Sequence, residues 1–158
     1  MNKVLIALAL TSSLATLGLV SAPAFAQSTS GAASTMPLKN DQLYQSLGQK
    51  AGLESLMDIF VAGLKADPRT GPHFKETNSK GLQEQLVDQF CKISGGPCEY
   101  KGANMKAAHA DMDISKTDFN ALVEVLQASM DARHIPFATQ NKLLALLAPM
   151  HRDVITVK

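Results

Sequence analysis

The sequence predicts an all-α domain, and three observations carry this prediction. Apolar residues recur at intervals of three and four along several segments, which is the period of an amphipathic helix. Breakers separate these segments, namely Gly48, Asp67-Pro68 and Gly95-Gly96-Pro97. No β-branched run alternates over a length that would make a strand. We therefore expect a set of packed helices without an internal repeat.

The first 26 residues have the composition of a secretory signal peptide. Lys3 precedes an apolar run from Val4 to Val20, and Ala24-Phe25-Ala26 is a small-x-small cleavage motif. A transmembrane anchor is the alternative, but hydroxyl residues interrupt a run that is short for a bilayer. We expect export to the bacterial periplasm with no membrane contact after cleavage. Residues 27–39 are then a disordered linker rich in Ser, Thr, Ala and Gly, and residues 40–158 are the folded domain.

Charge and motif content exclude several function classes. Cleavage removes Lys3, so the formal charge falls from +1 to 0. A neutral chain with scattered charges lacks the basic footprint for nucleic acid or an acidic membrane surface. Motifs of a serine nucleophile, a phosphate loop and a zincin helix do not occur in the sequence. We also expect a monomer.

The first half of the domain contains two predicted helices. Asn40 is a suitable cap for a first helix that ends at Gly48. A second helix starts at Gly52 and stops at Asp67-Pro68, and residues 70–74 form a turn-rich loop. The apolar face of the second helix comprises Leu53, Leu56, Met57, Phe60 and Leu64.

The second half contains three further helices. Asn78 or Ser79 caps the third, which Gly95-Gly96-Pro97 terminates. The segment from Ser115 to Asp118 resembles a capping box that opens the fourth, and Pro136 suits the first position of the last. Their apolar faces comprise Leu82, Leu86, Phe90 and Ile93, then Phe119, Leu122, Val123, Leu126 and Met130, then Leu143, Leu144, Leu147 and Met150.

Two cysteines, Cys91 and Cys98, lie on either side of the Gly-Gly-Pro bend. In an exported chain this pair can form a disulfide that holds the end of the third helix against the following loop. Two buried thiols are the alternative, because a helix end does not always bring the Cβ atoms within bonding reach. A structural zinc site needs more ligands than two cysteines supply.

One histidine lies on a predicted apolar helical face. Met105, Ala108, His109 and Met112 fall at i, i+3, i+4 and i+7. Such an imidazole can hold the iron of a haem, a flat apolar cofactor that fits a slot between helices. On the pattern alone, an ordinary core histidine remains the alternative. The side chains that could line the slot are Phe60, Phe74, Leu82, Leu86, Phe90, Phe119, Val123 and Leu126.

The order of the motifs adds a second argument. Phe60 and Phe74 precede Gly95-Gly96-Pro97, which is followed by Tyr100-Lys101-Gly102 and by Met105-Lys106-Ala107-Ala108-His109. Over residues 41–155 this series resembles the group I truncated haemoglobins. The resemblance implies a two-over-two helical sandwich around haem b, with His109 as the proximal ligand of the metal. It also implies a diatomic gas ligand: O₂, NO or CO. The residues expected around the haem are Phe60, Val61, Phe74, Leu82, Leu86, Phe90, Tyr100, Met105, Phe119 and Val123.

The distal side departs from the family pattern. The family commonly has a tyrosine where this chain has Val61, and a glutamine where a gapless count gives Leu86. Leu82, one turn earlier, is also apolar. Bound O₂ carries partial negative charge and gains from a hydrogen-bond donor. An apolar distal pocket should therefore weaken O₂ relative to CO or NO.

Other polar residues leave alternatives open. Gln85 could fold over the haem edge or be solvated, and Gln89 could turn inward or be exposed. His73 could reach a propionate or the iron, but a surface loop position is favoured. We interpret His134 and His151 as surface residues.

The resemblance leads to one main function and three alternatives. The main hypothesis is an exported protein that binds a diatomic gas. An NO dioxygenase would also need a stable oxy complex and an electron donor that the sequence does not identify. A peroxidase-like enzyme would need Arg69 and His73 above the iron. A globin-like domain without haem would serve as an interaction module.

Overall fold

The structure, a computed structural model, describes residues 40–157. The predicted signal peptide and linker lie outside the described residues. Within the described part every regular element is helical, so the predicted all-α class is confirmed. No helix among residues 40–157 is long and apolar enough to cross a membrane.

Four long helices and several short ones make up the domain. They are α1 Gln42–Ser46, α2 Gln49–Ala66, α3 Gly71–Phe74, α4 Ser79–Ile93, α5 Met105–Ala108, α6 Lys116–Ala132, α7 Phe137–Leu147, a 3-10 turn Ala148–Met150, and α8 His151–Val154. The helices α2 and α4 pack against each other, α2 also packs against α6, and α1 packs against α7. The short helix α5 packs against α8.

The start of α2 differs from the prediction. Gly48 has a φ of 81° and immediately precedes α2, which begins at Gln49 and not at Gly52. Gln49 also has a positive φ, of 57°, so two consecutive left-handed residues separate α1 from the rest of α2. Gly52 lies in the first turn of α2, where a Cβ would overlap the carbonyl oxygen of Leu47, so glycine is required there. At the other end of α1, the preceding residue is Asp41 and not Asn40, and its side chain makes no capping hydrogen bond.

Two other boundaries are also corrected. Residues 71–74 form the short helix α3 instead of the expected loop, with Pro72 in its first turn. The buried Thr70 hydroxyl donates to the carbonyl of Leu64 at 2.6 Å, so this segment is anchored to the end of α2. Pro136 precedes α7 by one residue and is not its first helical residue.

The side-chain caps predicted for the third and fourth helices are present. The Asn78 side chain accepts hydrogen bonds from the backbone N–H groups of Lys80 and Gly81 at the start of α4. The Ser115 hydroxyl accepts from the N–H of Asp118, whose carboxylate accepts from the N–H of Ser115. This reciprocal pair is a capping box with Asp in place of Glu, and it defines the start of α6.

The core is centred on the apolar face of α2. All five predicted α2 residues are buried, and they pack against buried residues of α4, α6 and α7. Burial of such side chains stabilises the fold by roughly 1.5–3 kcal/mol each. The core members on these three helices are Val87, Phe90, Cys91, Leu126, Met130 and Leu143.

A disulfide joins Cys91 at the end of α4 to Cys98 in the following loop. Between them Gly95 has a φ of 94°, and the Gly96 N–H donates to the carbonyl of Cys91 at 2.8 Å. A Cβ on Gly96 would lie 2.5 Å from the Cys91 sulfur and 2.8 Å from Cδ2 of Tyr44. The loop therefore turns back tightly over the disulfide, and only glycine fits at position 96.

Reduction of the Cys91–Cys98 bond should lower the free energy of unfolding by about 2–3 kcal/mol, because the bond restricts a short loop in the unfolded chain. Denaturant unfolding of the oxidised and reduced chain measures this difference. The Cys98→Ala variant is the control, since reductant should not change its stability. Equal stability of the oxidised and reduced chain would contradict the prediction.

Candidate functional site

His109 directly follows a single turn of helix. The Asn104 side chain accepts a hydrogen bond from the N–H of Ala107 at 2.9 Å and caps α5. The helix ends at Ala108, so the predicted helical face does not continue to Met112. A turn follows instead, in which the N–H of Met112 donates to the carbonyl of His109 at 3.3 Å.

The imidazole of His109 is half-buried and held on one side. Its Nδ1 lies 2.7 Å from the carbonyl oxygen of Met105, which also accepts from the backbone N–H of His109 at 3.2 Å. A carbonyl oxygen can only accept, so this contact assigns the ring proton to Nδ1. No hydrogen bond from residues 40–157 reaches Nε2, whose lone pair is free to bind a metal.

The loop before α5 is held by its own side chains. The Tyr100 hydroxyl donates to the carbonyl of Ala103 at 2.8 Å. Burial raises the pKa of Tyr100 above its usual value, which favours the protonated hydroxyl further. The Tyr100 ring lies directly over Gly102, where any Cβ would overlap it. The Tyr-x-Gly motif thus makes a closed turn that leads into the His109 segment.

The ten apolar and aromatic residues predicted around a cofactor differ in burial and in whether they contact the main core. Phe60, Val61 and Phe90 are buried, and Phe60 and Phe90 belong to the main core. Phe74 and Leu86 are half-buried and pack against that core. The remaining members are half-buried and lie outside the core cluster of the described residues: Leu82, Tyr100, Met105, Phe119 and Val123.

Gln89 turns inward, which is one of the two alternatives that the sequence left open. Its side chain is 8% exposed, while Gln85 on the same helix is exposed. Its amide nitrogen Nε2 lies 3.5 Å from the sulfur of Met105 and 3.8 Å from the sulfur of Met150. The sequence feature that indicates this burial is the position of Gln89 at the edge of the apolar face of α4, three residues after Leu86 and next to Phe90.

His73 is half-buried in α3, so its interpretation as a surface loop residue is wrong. Its Nε2 lies 3.7 Å from Oδ2 of Asp118. Hydrogen bonds from the hydroxyl and N–H of Ser115, with His73 as a smaller cause, hold the pKa of Asp118 below its usual value. The capping box of α6 therefore also contacts α3.

Arg69 pairs with two carboxylates at the surface. Its guanidinium lies 2.8 Å from Asp67 and 2.6 Å from Glu124, which connects the end of α2 to α6. The hydrogen bond from the Arg69 side chain is the main cause that lowers the pKa of Asp67 to about 2. Arg69 and His73 thus contact separate carboxylates, Asp67 and Glu124 in one case and Asp118 in the other.

His134 and His151 are exposed, as predicted. Nδ1 of His151 lies 2.9 Å from the carbonyl of Ala148, and its ring centroid is 6.3 Å from that of Phe119. Among the described residues no three His, Cys, Asp or Glu side chains converge as a ligand set for a bare metal ion.

Comparison with known proteins defines the class. The bacterial-like globin family matches residues 42–156. The chain is 33% identical over 92 residues to the group 1 truncated haemoglobin of Tetrahymena thermophila, covering 58% of this chain and 76% of that protein. It is 27% identical over 117 residues to the corresponding protein of Tetrahymena pyriformis, covering 74% and 97%.

Solved structures agree with the sequence match. The Fe(III) form of the Tetrahymena pyriformis truncated haemoglobin superposes with a TM-score of 0.69 at 27% identity, covering 72% of this chain and 97% of that one. The 2/2 haemoglobin of Synechococcus sp. PCC 7002, solved in the cyanomet state with covalently attached haem, superposes with a TM-score of 0.68 at 22% identity, with the same coverage.

The helices therefore form the two-over-two sandwich of the truncated globins. The chain belongs to the bacterial-like globin family, and its relatives place it among the group I truncated haemoglobins.

Replacement of Asp118 by Asn should make the free energy of unfolding depend less on pH in the acid range. Because the folded pKa of Asp118 is lowered, its ionised form stabilises the fold above the ordinary carboxyl range, and this stabilisation is lost as pH falls below that range. Asp118→Asn should therefore be less stable than the natural chain at pH 7, with a gap that narrows towards low pH.

Urea unfolding between about pH 2 and pH 7, a range that spans ordinary carboxyl titration, measures this gap. Asp111→Asn, which removes an exposed carboxylate from the turn after His109, is the matched control. A gap for Asp118→Asn that stays constant across this range would contradict the assignment.

Proposed function

We propose that this globin binds haem b, that His109 is its proximal iron ligand, and that the iron binds a diatomic gas. The observation that carries the proposal is the contact between Nδ1 of His109 and the carbonyl oxygen of Met105. It holds a proton on Nδ1, so that in the neutral ring the Nε2 lone pair can coordinate iron. Haem, when bound, supplies the iron that holds the gas.

The residues present fit this cofactor. Haem iron needs one axial imidazole from the protein, and its macrocycle needs apolar surface on either side. His109 supplies the imidazole. The half-buried apolar side chains on α4 and α6 supply surface that the core of the described chain leaves partly exposed, and they are Leu82, Leu86, Phe119 and Val123.

We assign Val61, Leu82 and Leu86 to the distal side by their resemblance to family positions. All three are apolar, and Val61 is only 1% exposed. The nearby amides do not replace the missing donors, since Gln85 is exposed and the Gln89 amide donates to two sulfurs. An iron-bound O₂ would therefore lack the donor that stabilises its partial charge, and CO or NO would be favoured.

We propose gas binding, sensing or scavenging over catalytic turnover. Dioxygenation of NO needs a stable oxy complex and a reductant, and the apolar distal residues disfavour the first. The side chains considered for peroxide chemistry, Arg69 and His73, are engaged with Asp67, Glu124 and Asp118. A binding role requires only the His109 imidazole and the apolar slot.

We propose that the protein works as an exported monomer. The signal-like composition of residues 1–26 supports export. The disulfide between Cys91 and Cys98 also supports it, because such bonds persist in oxidising compartments.

The His109→Ala variant should lose stable haem binding, because it removes the imidazole that we propose as the iron ligand. Haem titration followed by the Soret band, together with the ferrous-CO spectrum, measures the loss. His134→Ala, which removes an exposed histidine, should bind one haem like the natural chain. Retention of one tightly bound haem by His109→Ala would show that the proximal assignment is wrong.

The Val61→Tyr variant should slow O₂ dissociation from the ferrous haem protein by about tenfold, the effect of one hydrogen bond to a charged acceptor. Stopped-flow ligand displacement measures the rate. Val61→Phe is the matched control, because it adds the same ring to a buried position without the hydroxyl. Equal O₂ dissociation rates for the Tyr and Phe variants would exclude Val61 from the distal pocket.

A further inference from the structure

The amide of Gln89 lies at a joint between three elements, which we call the Gln89 joint: Gln89 on α4, Met105 at the start of α5, and Met150 at the end of the 3-10 turn. The two N–H groups of one amide nitrogen meet the two thioether sulfurs, at 3.5 Å and 3.8 Å. Both methionines are half-buried and Gln89 is buried. The joint therefore connects the long helix α4 to the short segment that carries His109.

If packing were the only role of this position, a glutamine would stabilise the fold less than an apolar side chain of similar size. Thioether sulfur is a weak acceptor, so two N–H···S contacts replace only part of the hydration that a buried amide loses. A leucine of similar size would fill the same space without that loss. What the amide supplies, and leucine cannot, is a directed contact that sets the position of each methionine.

The position of Met105 in turn determines the orientation of His109. The carbonyl oxygen of Met105 accepts from both the ring Nδ1 and the backbone N–H of His109. Met105 is the first residue of α5, and this helix of four residues has little intrinsic stability. Its location depends on outside contacts, and the Gln89 joint contacts its first residue directly.

We propose that Gln89 is a positioning residue for the proximal histidine. Its amide holds Met105, and the carbonyl of Met105 holds the His109 ring in the Nδ1–H tautomer, which would leave the Nε2 lone pair available to the iron. The expected consequence of this positioning is tighter haem retention, and that consequence rests on the proposed function. Partners that orient a metal-ligating histidine typically change metal affinity by tenfold or more.

The test compares Gln89→Leu with Gln85→Leu, which removes an exposed glutamine one turn earlier on the same helix. In the haem-loaded protein, Gln89→Leu should speed haem loss to an excess of acceptor apoglobin on the order of tenfold. It should also shift the iron–histidine stretching band of the ferrous form to lower frequency. Gln85→Leu should leave both unchanged.

A second measurement does not depend on haem. In the full chain without added haem, ¹⁵N NMR at about pH 8, where an ordinary imidazole is neutral, reports the tautomer of His109. The natural chain and Gln85→Leu should show mainly Nδ1–H, and Gln89→Leu should show a larger share of Nε2–H. A purely structural role for Gln89 would lower the unfolding midpoint without moving the tautomer or the band.

Met105→Leu gives a variant that removes the sulfur but keeps the carbonyl. It should change the tautomer and haem loss in the same direction as Gln89→Leu, and the double variant should add little, because the two residues act in series. Additive effects of the two substitutions would overturn the proposal, as would a Gln89→Leu protein that matches Gln85→Leu in tautomer and haem loss. A tautomer shift in a chain that takes up no haem would support the positioning role and reject haem binding.

Discussion

The hydrogen bond from Nδ1 of His109 to the carbonyl oxygen of Met105 is the interaction on which the candidate site depends. An imidazole has two nitrogens, and without this acceptor neither the tautomer nor the ring rotation would be defined. The carbonyl belongs to a helix of four residues that is too short to be stable alone. The site can therefore be only as rigid as the contacts that hold this short helix in place.

Those contacts come from both ends of the segment. Upstream, the Cys91–Cys98 bond and the tight turn at Gly96 tie the loop to the end of α4, and Tyr100 closes the turn that follows. Downstream, the N–H groups of Thr156 and Val157 donate to the carbonyl of Ile114 at 2.9 Å and 3.0 Å. The chain that carries His109 is thus fixed by covalent and backbone contacts on either side, and these leave few conformations for the loop.

Some features of the structure could be predicted from local sequence patterns, whereas others depend on tertiary contacts. The α2 stripe, the Asn78 cap and the Ser115–Asp118 capping box follow from patterns within a few residues, and each is present in the structure. The contacts of Gln89 with the two methionines and the pairing of His73 with Asp118 join elements far apart in the chain, and no local pattern encodes them. The helix expected through Met112 ended at Ala108 because spacing shows which residues share a helical face but not where the helix stops.

Fold stability and ligand chemistry rest on largely different residues of the same helices. The fully buried face of α2 belongs to the core, whereas Leu82 on α4 and Val123 on α6 are half-buried and lie outside the core cluster of residues 40–157. The proposed haem would cover the apolar surface that these two half-buried side chains leave accessible. Phe60 and Phe90 belong both to the core and to the proposed haem surroundings. Substitutions at these two phenylalanines should therefore change stability and haem binding together, whereas those at Leu82 and Val123 should separate the two properties.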